Sequence, residues 1–372
     1  MTGPVVITGG GTGGHIFPMQ AIADALREAG VPDADIRYVG SRRGQEATLL
    51  GGGSIPLTLL PGRGLRRSLA PGAWRDNAGA LLGLARAFAR ALIDVRRWRP
   101  RVVVSVGGYA SAAVASAAVI WRRPLVLVDL DATPGATHRL LARFATVRCV
   151  ALGKPSDRVV VTGAPVRRDL TELDRSPDER ERAKARLSPP IGPERRVVVV
   201  MTGSLGAAQV NRAVVDLARR WRERTDLTLV HVTGRRDYEW VTSQRPEVTG
   251  LDYRVIEFAE MATWWAVADL AICRAGATTV AELTILSLPA ILIPLPGAPG
   301  DHQGYNARAL AAVGAATVLA DAACTGERLD ELALDMLDPE VWTAMSRASA
   351  QLAQPDAAAG IARTVLRVGG TP

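Results

Sequence analysis

Two hydrophobic patterns alternate along this chain. Short runs rich in Val, Ile and Leu, apolar almost throughout, are separated by longer stretches in which apolar residues recur every three or four positions. The runs suit strands buried on both faces, and the 3.6-residue recurrence suits helices laid over them. In the first half the runs predict strands at 4–9, 36–40, 56–59, 101–106, 124–129, 147–151 and 158–162. In the second half they predict strands at 195–201, 227–232, 253–257, 269–273, 289–294 and 315–319, then closing helices at about 325–336, 339–352 and 357–368. Such alternation implies parallel sheets in an α/β architecture. The stretch from Ala73 to Trp98 reads as one long helix that starts near Pro71 and stops before Pro100.

The pattern begins twice. At 372 residues the chain exceeds one ordinary core. A change of character at Gly163-Ala164-Pro165-Val166-Arg167 precedes the charged stretch 174–186 and the turn 188–193. This places one domain at 1–163 and a second at 164–354, with a last helix at about 355–372 returning to the first. Each domain opens as strand, glycine loop, helix: Val5 to Gly14 before His15, and Arg195 to Met201 before Thr202-Gly203-Ser204-Leu205-Gly206-Ala207. Glycine tolerates positive φ and close ligand approach, and a helix N-terminus offers unpaired N–H groups and partial positive charge, so both loops are suited to phosphate. Two Rossmann-like domains of this kind are expected to face each other across a cleft, with ligands at the carboxyl ends of the strands.

Gly9, Gly11 and Gly14 also satisfy the dinucleotide fingerprint, and Ser41-Arg42-Arg43 is suited to a 2′-phosphate, so an NADP-dependent oxidoreductase must be weighed. That reading leaves the second glycine loop unexplained.

Composition narrows the classes. Three widely spaced cysteines, Cys149, Cys273 and Cys324, argue for a reducing compartment and against a disulfide framework or zinc site. The chain enters its first strand without the basic segment of a secretory signal, and the longest apolar run, Tyr109 to Trp121, is short of the roughly 20 residues needed to span a bilayer. The net charge of +8 is unevenly placed, with 21 basic against 10 acidic residues up to Gly163. Almost all the basic residues are arginines, from genomic bias or from selection for anion binding. No nucleic-acid partner is expected.

The stretch Gly10-Gly11-Thr12-Gly13-Gly14-His15-Ile16-Phe17-Pro18 resembles the G-G-T-G-G-H-x-x-P signature of the family 28 glycosyltransferases that add N-acetylglucosamine from UDP-GlcNAc to lipid I of peptidoglycan. Further matches follow in the family's order at 107–111, 163–167, 203–207, 274–282 and 301–307, so the resemblance spans almost the whole chain. It implies the GT-B architecture and inverting transfer, with UDP-GlcNAc held mainly by the second domain. It also implies an undecaprenyl-linked acceptor and peripheral attachment to an anionic membrane surface, the cytoplasmic face of the bacterial cell membrane.

On the donor side the resemblance points to Arg167 at the diphosphate, Glu282 at the ribose hydroxyls and Gln303 at the sugar hydroxyls, with Ala259, Ala277, Thr278, Thr279 and His302 alongside. Ser204 and the N–H groups around Gly206 would receive the diphosphate. Thr279-Val280-Ala281-Glu282 also fits a helix capping box, and Asp301 is placed to cap the next helix. The acceptor side takes Gly11, Thr12, Gly13, Gly14 and Tyr109. His15 has two readings, as the base that removes the acceptor hydroxyl's proton or as a helix-start histidine bonded to the loop. No cofactor or metal cluster is called for, since a helix dipole with Arg167 can offset the diphosphate charge. Nor is a Ser-His-Asp triad expected.

Three departures stand out. Where the family carries H-E-Q-N, this chain has Val128-Asp129-Leu130-Asp131. Either Asp129 or Asp131 takes over acceptor-side or catalytic work, or the acceptor differs, or activity is lost. Ala164 replaces a common asparagine and Leu205 a common glutamine. Between 65 and 99, Leu, Trp and Phe residues interleave with arginines, a composition that fits a helix's core face and also anionic lipid headgroups.

Overall fold

The computed structural model describes residues 3–11, 13–61, 73–203 and 206–370, with the side chains of 73–82 and of Tyr109 excepted. Thr12, Ser204, the side chain of Tyr109 and the helix start near Pro71 therefore lie outside the described residues, with the roles expected of them. The chain divides into two compact units, Met1–Arg167 with Pro355–Pro372, and Arg168–Gln354.

The first unit holds β1 (Val5–Thr8), β2 (Ile36–Ser41), β3 (Leu57–Leu60), β4 (Val102–Ser105), β5 (Leu125–Asp129), β6 (Val147–Val150) and β7 (Val159–Val161). Their order is β3-β2-β1-β4-β5-β6-β7, and every paired strand is parallel. β1 and β4 show why: each is a run of small β-branched or apolar residues, and all four residues of each are buried. Such strands cannot face water on either side and need helices on both. The helix Ala73–Trp98 supplies one cover, setting Ala87, Ala91 and Val95 against Ala113, Val114 and Ala117 of the helix Tyr109–Ile120. The helix Ala357–Gly369 supplies part of the other, packed on the helix Gly13–Glu28 with Ile361 and Val365 fully buried.

The second unit repeats the plan with β8 (Arg196–Met201), β9 (Leu227–Val232), β10 (Asp252–Ile256), β11 (Leu270–Cys273), β12 (Ala290–Leu292) and β13 (Ala316–Val318), in the order β10-β9-β8-β11-β12-β13. Its core joins Val198, Val200, Leu270 and Ile272 of the sheet to Val214, Leu217 and Trp221 of the helix Ala208–Arg220. In both units the strand order reverses beside the first strand, between β1 and β4 and between β8 and β11. That reversal opens a crevice at the carboxyl ends of the strands, where open α/β sheets take their ligands. The glycine loops follow β1 and β8, so each stands at its sheet's switch point.

The boundary falls after Arg167, four residues later than the composition suggested. Ala164 and Val166 are buried, and the Arg167 guanidinium lies 4.6 Å from the Phe17 ring centre, so this stretch belongs to the first unit by packing.

Candidate active site

In the first unit three loops rise from adjacent strands. The loop after β1 turns on Gly10 and Gly11, at φ 128° and 104°. The loop after β4 turns on Gly107 and Gly108, at φ 104° and 87°. The two touch: a Cβ on Gly108 would overlap the carbonyl oxygen of Gly10, and one on Gly107 would come within 3.2 Å of His15 Nε2. Glycine is required at 107 and 108 because one loop's backbone and the His15 ring pass over them. His15, half-buried, thus stands on the first turn of the helix Gly13–Glu28 with its ring against Gly107. Gly13 and Gly14 share that turn. Gly11 is exposed, but its N–H donates to Glu46 Oε1 at 3.0 Å and is already engaged.

The third loop follows β5 and bears on one expectation. Asp129 is 4% exposed, with both carboxylate oxygens in use. Oδ1 accepts from His138 Nδ1 at 2.7 Å, and Oδ2 accepts from Arg148 Nη2 at 2.7 Å and Nε at 3.1 Å. Burial pushes its pKa up, but His138 and Arg148 outweigh burial and leave it below the ordinary aspartate value. Both oxygens of this buried acid are committed within the protein, which counts against the catalytic role expected of Asp129. Ser105 Oγ lies 2.8 Å from His138 Nε2, completing a Ser105–His138–Asp129 chain of hydrolase type. Ser105 is fully buried, however, and the chain pins the loop of residues 130–135 without presenting a nucleophile. Asp131 lies on that loop, half-buried.

In the second unit the expected donor residues gather at the carboxyl ends of β8, β10, β11 and β12. The loop after β8 is braced from below. Gly206 (φ 84°) packs so tightly that a Cβ would strike Asp237 Oδ2 at 2.6 Å. Its N–H donates to the Gly203 carbonyl at 3.0 Å and is engaged within the protein. Asn211 Nδ2 donates to Asp237 Oδ2 at 2.9 Å, Asn211 Oδ1 lies 2.8 Å from His231 Nε2, and His231 Nδ1 lies 2.9 Å from the Tyr253 hydroxyl. Burial alone pushes the His231 pKa down to about 3, so the ring is a neutral strut at physiological pH. Arg236 bonds to Asp237 and holds that carboxyl below its ordinary value, which supplies a cation beside the acid nearest the loop.

After β11 comes Gly276 and then the helix Ala277–Ile285. The helix begins at Gly276 without a side-chain cap, so the expected capping box is absent and Thr279 stands inside the first turn. Ala277, Thr278 and Thr279 surround the N-terminus, and Glu282 is on the next turn, its Oε2 accepting from the buried Trp265 Nε1 at 3.3 Å. Arg274 anchors the strand end on Asp321 at 2.7 Å and on the carbonyls of Ile293 and Pro294. After β12, Gln303 Oε1 accepts from Leu295 N at 2.9 Å, and His302 Nδ1 donates to the Pro299 carbonyl at 2.8 Å. Asp301 precedes the helix His302–Ala311 in the left-handed region (φ 51°) and does not cap it; its Oδ2 accepts from Arg308 Nη2 at 2.9 Å. Ala259 lies on the loop after β10, beside the exposed Phe258. Arg167 belongs to the first unit.

Sequence reading missed Glu46, Asn211, His231, Tyr253, Asp237 and the Ser105–His138–Arg148 partners of Asp129. Most of their contacts join residues about 20 or more apart in sequence, and a local signal lay in the glycines crowding around Glu46.

The N-terminal domain of glycosyltransferase family 28 matches residues 5–149, and the C-terminal domain of the same family matches residues 197–361. The chain is 40% identical over 375 residues to the UDP-N-acetylglucosamine–N-acetylmuramyl-(pentapeptide) pyrophosphoryl-undecaprenol N-acetylglucosamine transferase of Alkalilimnicola ehrlichii, covering 98% of this chain and 99% of that protein. It is 36% identical over 379 residues to the transferase of the same name from Desulforudis audaxviator, with 98% of each covered. The crystal structure of Acinetobacter baumannii MurG superposes with a TM-score of 0.76 at 27% identity, over 98% of this chain and 99% of that one. A calicheamicin glycosyltransferase, CalG4, shares the GT-B fold at a TM-score of 0.66 and 15% identity. The chain belongs to glycosyltransferase family 28.

Proposed function

We propose that the protein transfers N-acetylglucosamine from UDP-GlcNAc to the lipid I acceptor, N-acetylmuramyl-(pentapeptide) pyrophosphoryl-undecaprenol, in peptidoglycan synthesis. One observation carries the donor assignment. In the second unit the loop after β8, the first turn of the helix Ala277–Ile285 with Glu282 behind it, and the Gln303 amide all stand at the carboxyl ends of neighbouring strands around the switch point. Diphosphate is received by the helix N-termini that follow β8 and β11, with Ser204 as a further contact. Glu282 accepts from the ribose hydroxyls, and Gln303 meets the sugar.

The chemistry forms one bond and breaks one. The acceptor hydroxyl attacks the anomeric carbon from the face opposite UDP. The anomeric C–O bond to the diphosphate breaks, and its electron pair leaves with UDP. His15 takes the hydroxyl proton as the new glycosidic bond forms. Gly13 and Gly14, at the same helix N-terminus, meet the acceptor's diphosphate, with Tyr109 and Asp131 nearby in the fold.

Ligand-dependent melting tests this reading directly. UDP or UDP-GlcNAc at about 100 times its Kd raises the melting temperature, an effect worth about 2.7 kcal/mol, while NADPH does nothing. Stabilisation by NADPH with indifference to UDP would sink the proposal.

The protein works at an anionic membrane surface, on the cytoplasmic side, without crossing it. No helix among the described residues is long and apolar enough to span a bilayer. Between the helices Ala73–Trp98 and Tyr109–Ile120 lies an apolar hollow of about 370 Å³ lined by Leu84, Ala85, Phe88, Ala112, Ala113 and Ser116. Ile93 and Ile120 are exposed on the same two helices, and Arg96 stacks 5.2 Å over the Trp121 ring. Basic groups beside apolar ones attract anionic headgroups by about 1 kcal/mol each. Cosedimentation with vesicles containing anionic lipid is expected, and Ile93→Glu with Ile120→Glu should weaken it about tenfold or more, as two charges replace two apolar contacts. Equal binding of the double variant would place the lipid contact elsewhere.

A further inference from the structure

We propose that Glu46 is a positioning residue for the acceptor side of the transfer, a buried side chain that fixes the first glycine loop and thereby the helix start carrying His15. The inference rests on the acceptor reading given above. Glu46 begins the short helix Glu46–Leu50, and its side chain is fully buried. It reaches under the loop after β1, where Oε1 accepts from the N–H of Gly11 at 3.0 Å and from that of Ser41 at 2.7 Å. One carboxylate oxygen therefore ties the loop after β1 to the end of β2.

Three glycines make room for it. A Cβ on Gly10 would overlap Glu46 Oε1, one on Gly40 would come within 2.6 Å of its Cγ, and one on Gly44 would overlap its Oε2. A glycine loop built only to approach a ligand needs open space outside it, and that explains Gly11, which has nothing within 4 Å of a Cβ. It does not explain Gly10, whose absent side chain leaves space filled by a protein carboxylate. Because a glutamate holds the N–H of Gly11, an incoming diphosphate must be met further along, at Gly13 and Gly14 and by the helix's positive end. The loop is gripped on its other side by Gly107 and Gly108, which carry the His15 ring and the Gly10 carbonyl. Loss of the Glu46 grip frees two N–H groups and lets the loop, Gly13, Gly14 and His15 shift together. The donor residues in the second unit are untouched by that shift.

The test uses the full chain with three variants. Glu46→Ala removes the acceptor oxygen, Glu46→Asp withdraws it by one methylene where alanine fails to fold, and Glu46→Gln keeps an oxygen of the same reach. Glu46→Ala or Glu46→Asp should lower kcat/KM for a lipid I analogue about tenfold or more, as expected for unpairing buried polar groups. The Kd of UDP should stay within about twofold of wild type, and Glu46→Gln should restore kcat/KM to within about threefold. Amide exchange at Gly11 and Ser41 should accelerate in Glu46→Ala or Glu46→Asp and remain slow in Glu46→Gln. Wild-type acceptor kinetics in folded Glu46→Ala, or equal losses for UDP and acceptor, overturns the proposal. So does a Glu46→Gln variant as impaired as Glu46→Ala. A wild-type chain that binds UDP but transfers nothing to lipid I counts against the functional reading instead. Exchange alone then decides on Glu46, and an unchanged Gly11 rate removes it.

Discussion

Replacing His15 with alanine lowers kcat for transfer by about 10²- to 10⁴-fold, the range over which a positioned general base acts. The reason is geometric. His15 is on the first turn of a helix whose N-terminus adjoins the loop proposed as the acceptor's cradle, and its ring lies against Gly107, where a Cβ would come within 3.2 Å of Nε2. Asp129, by contrast, is sealed by His138 and Arg148, and His138 is buried with it. UDP is assigned to the other unit, so its Kd should remain within about twofold of wild type, because no binding group for it is lost. Steady-state turnover with a lipid I analogue, beside calorimetric titration of UDP, reads both quantities. Unchanged turnover would remove His15 as the base and leave it as a packing partner of Gly107.

Glu282→Ala is expected to act in the opposite sense, on the donor. A carboxylate bonded to ribose hydroxyls contributes about 1.5–3 kcal/mol, which corresponds to a loss of UDP affinity of about 10- to 150-fold. At about 100 times the wild-type Kd, the stabilisation given by UDP should fall from about 2.7 kcal/mol to about 0.3–1.4 kcal/mol. Glu282 also accepts from Trp265 Nε1, so part of the loss has a structural source that needs its own control. Trp265→Phe removes that N–H without touching a ribose, and it should keep UDP affinity within about threefold, the scale of one modest hydrogen bond. Equal losses in the two variants would assign Glu282 to packing alone.

Both expectations rest on sites whose two halves were unequally legible in sequence. The strands were readable almost to the residue, because a strand buried on both faces must be apolar at every position, as Val102 to Val104 and Val197 to Val200 are. Helix starts were less secure. Thr279 and Glu282 had capping-box spacing, yet the helix begins at Gly276, and Asp301 has capping chemistry but spends it on Arg308. Short motifs specify residue types, and neighbours distant in sequence decide which bond a carboxylate makes. The same holds at Asp129, an acid at a strand end whose oxygens are taken up by His138 and Arg148.

The opening glycine loop shows the division most clearly. Its composition alone determined that the backbone there would turn through positive φ between a strand and a helix, since only glycine does so without steric cost. Periodicity alone determined that two parallel α/β units would each open on such a loop. What occupies the loop was decided by the tertiary structure: Glu46, which reaches Gly11 from 35 residues away, claims one of its N–H groups. Burial made that choice, because a carboxylate removed from water must find N–H partners wherever the fold brings them, and sequence spacing does not record where that is.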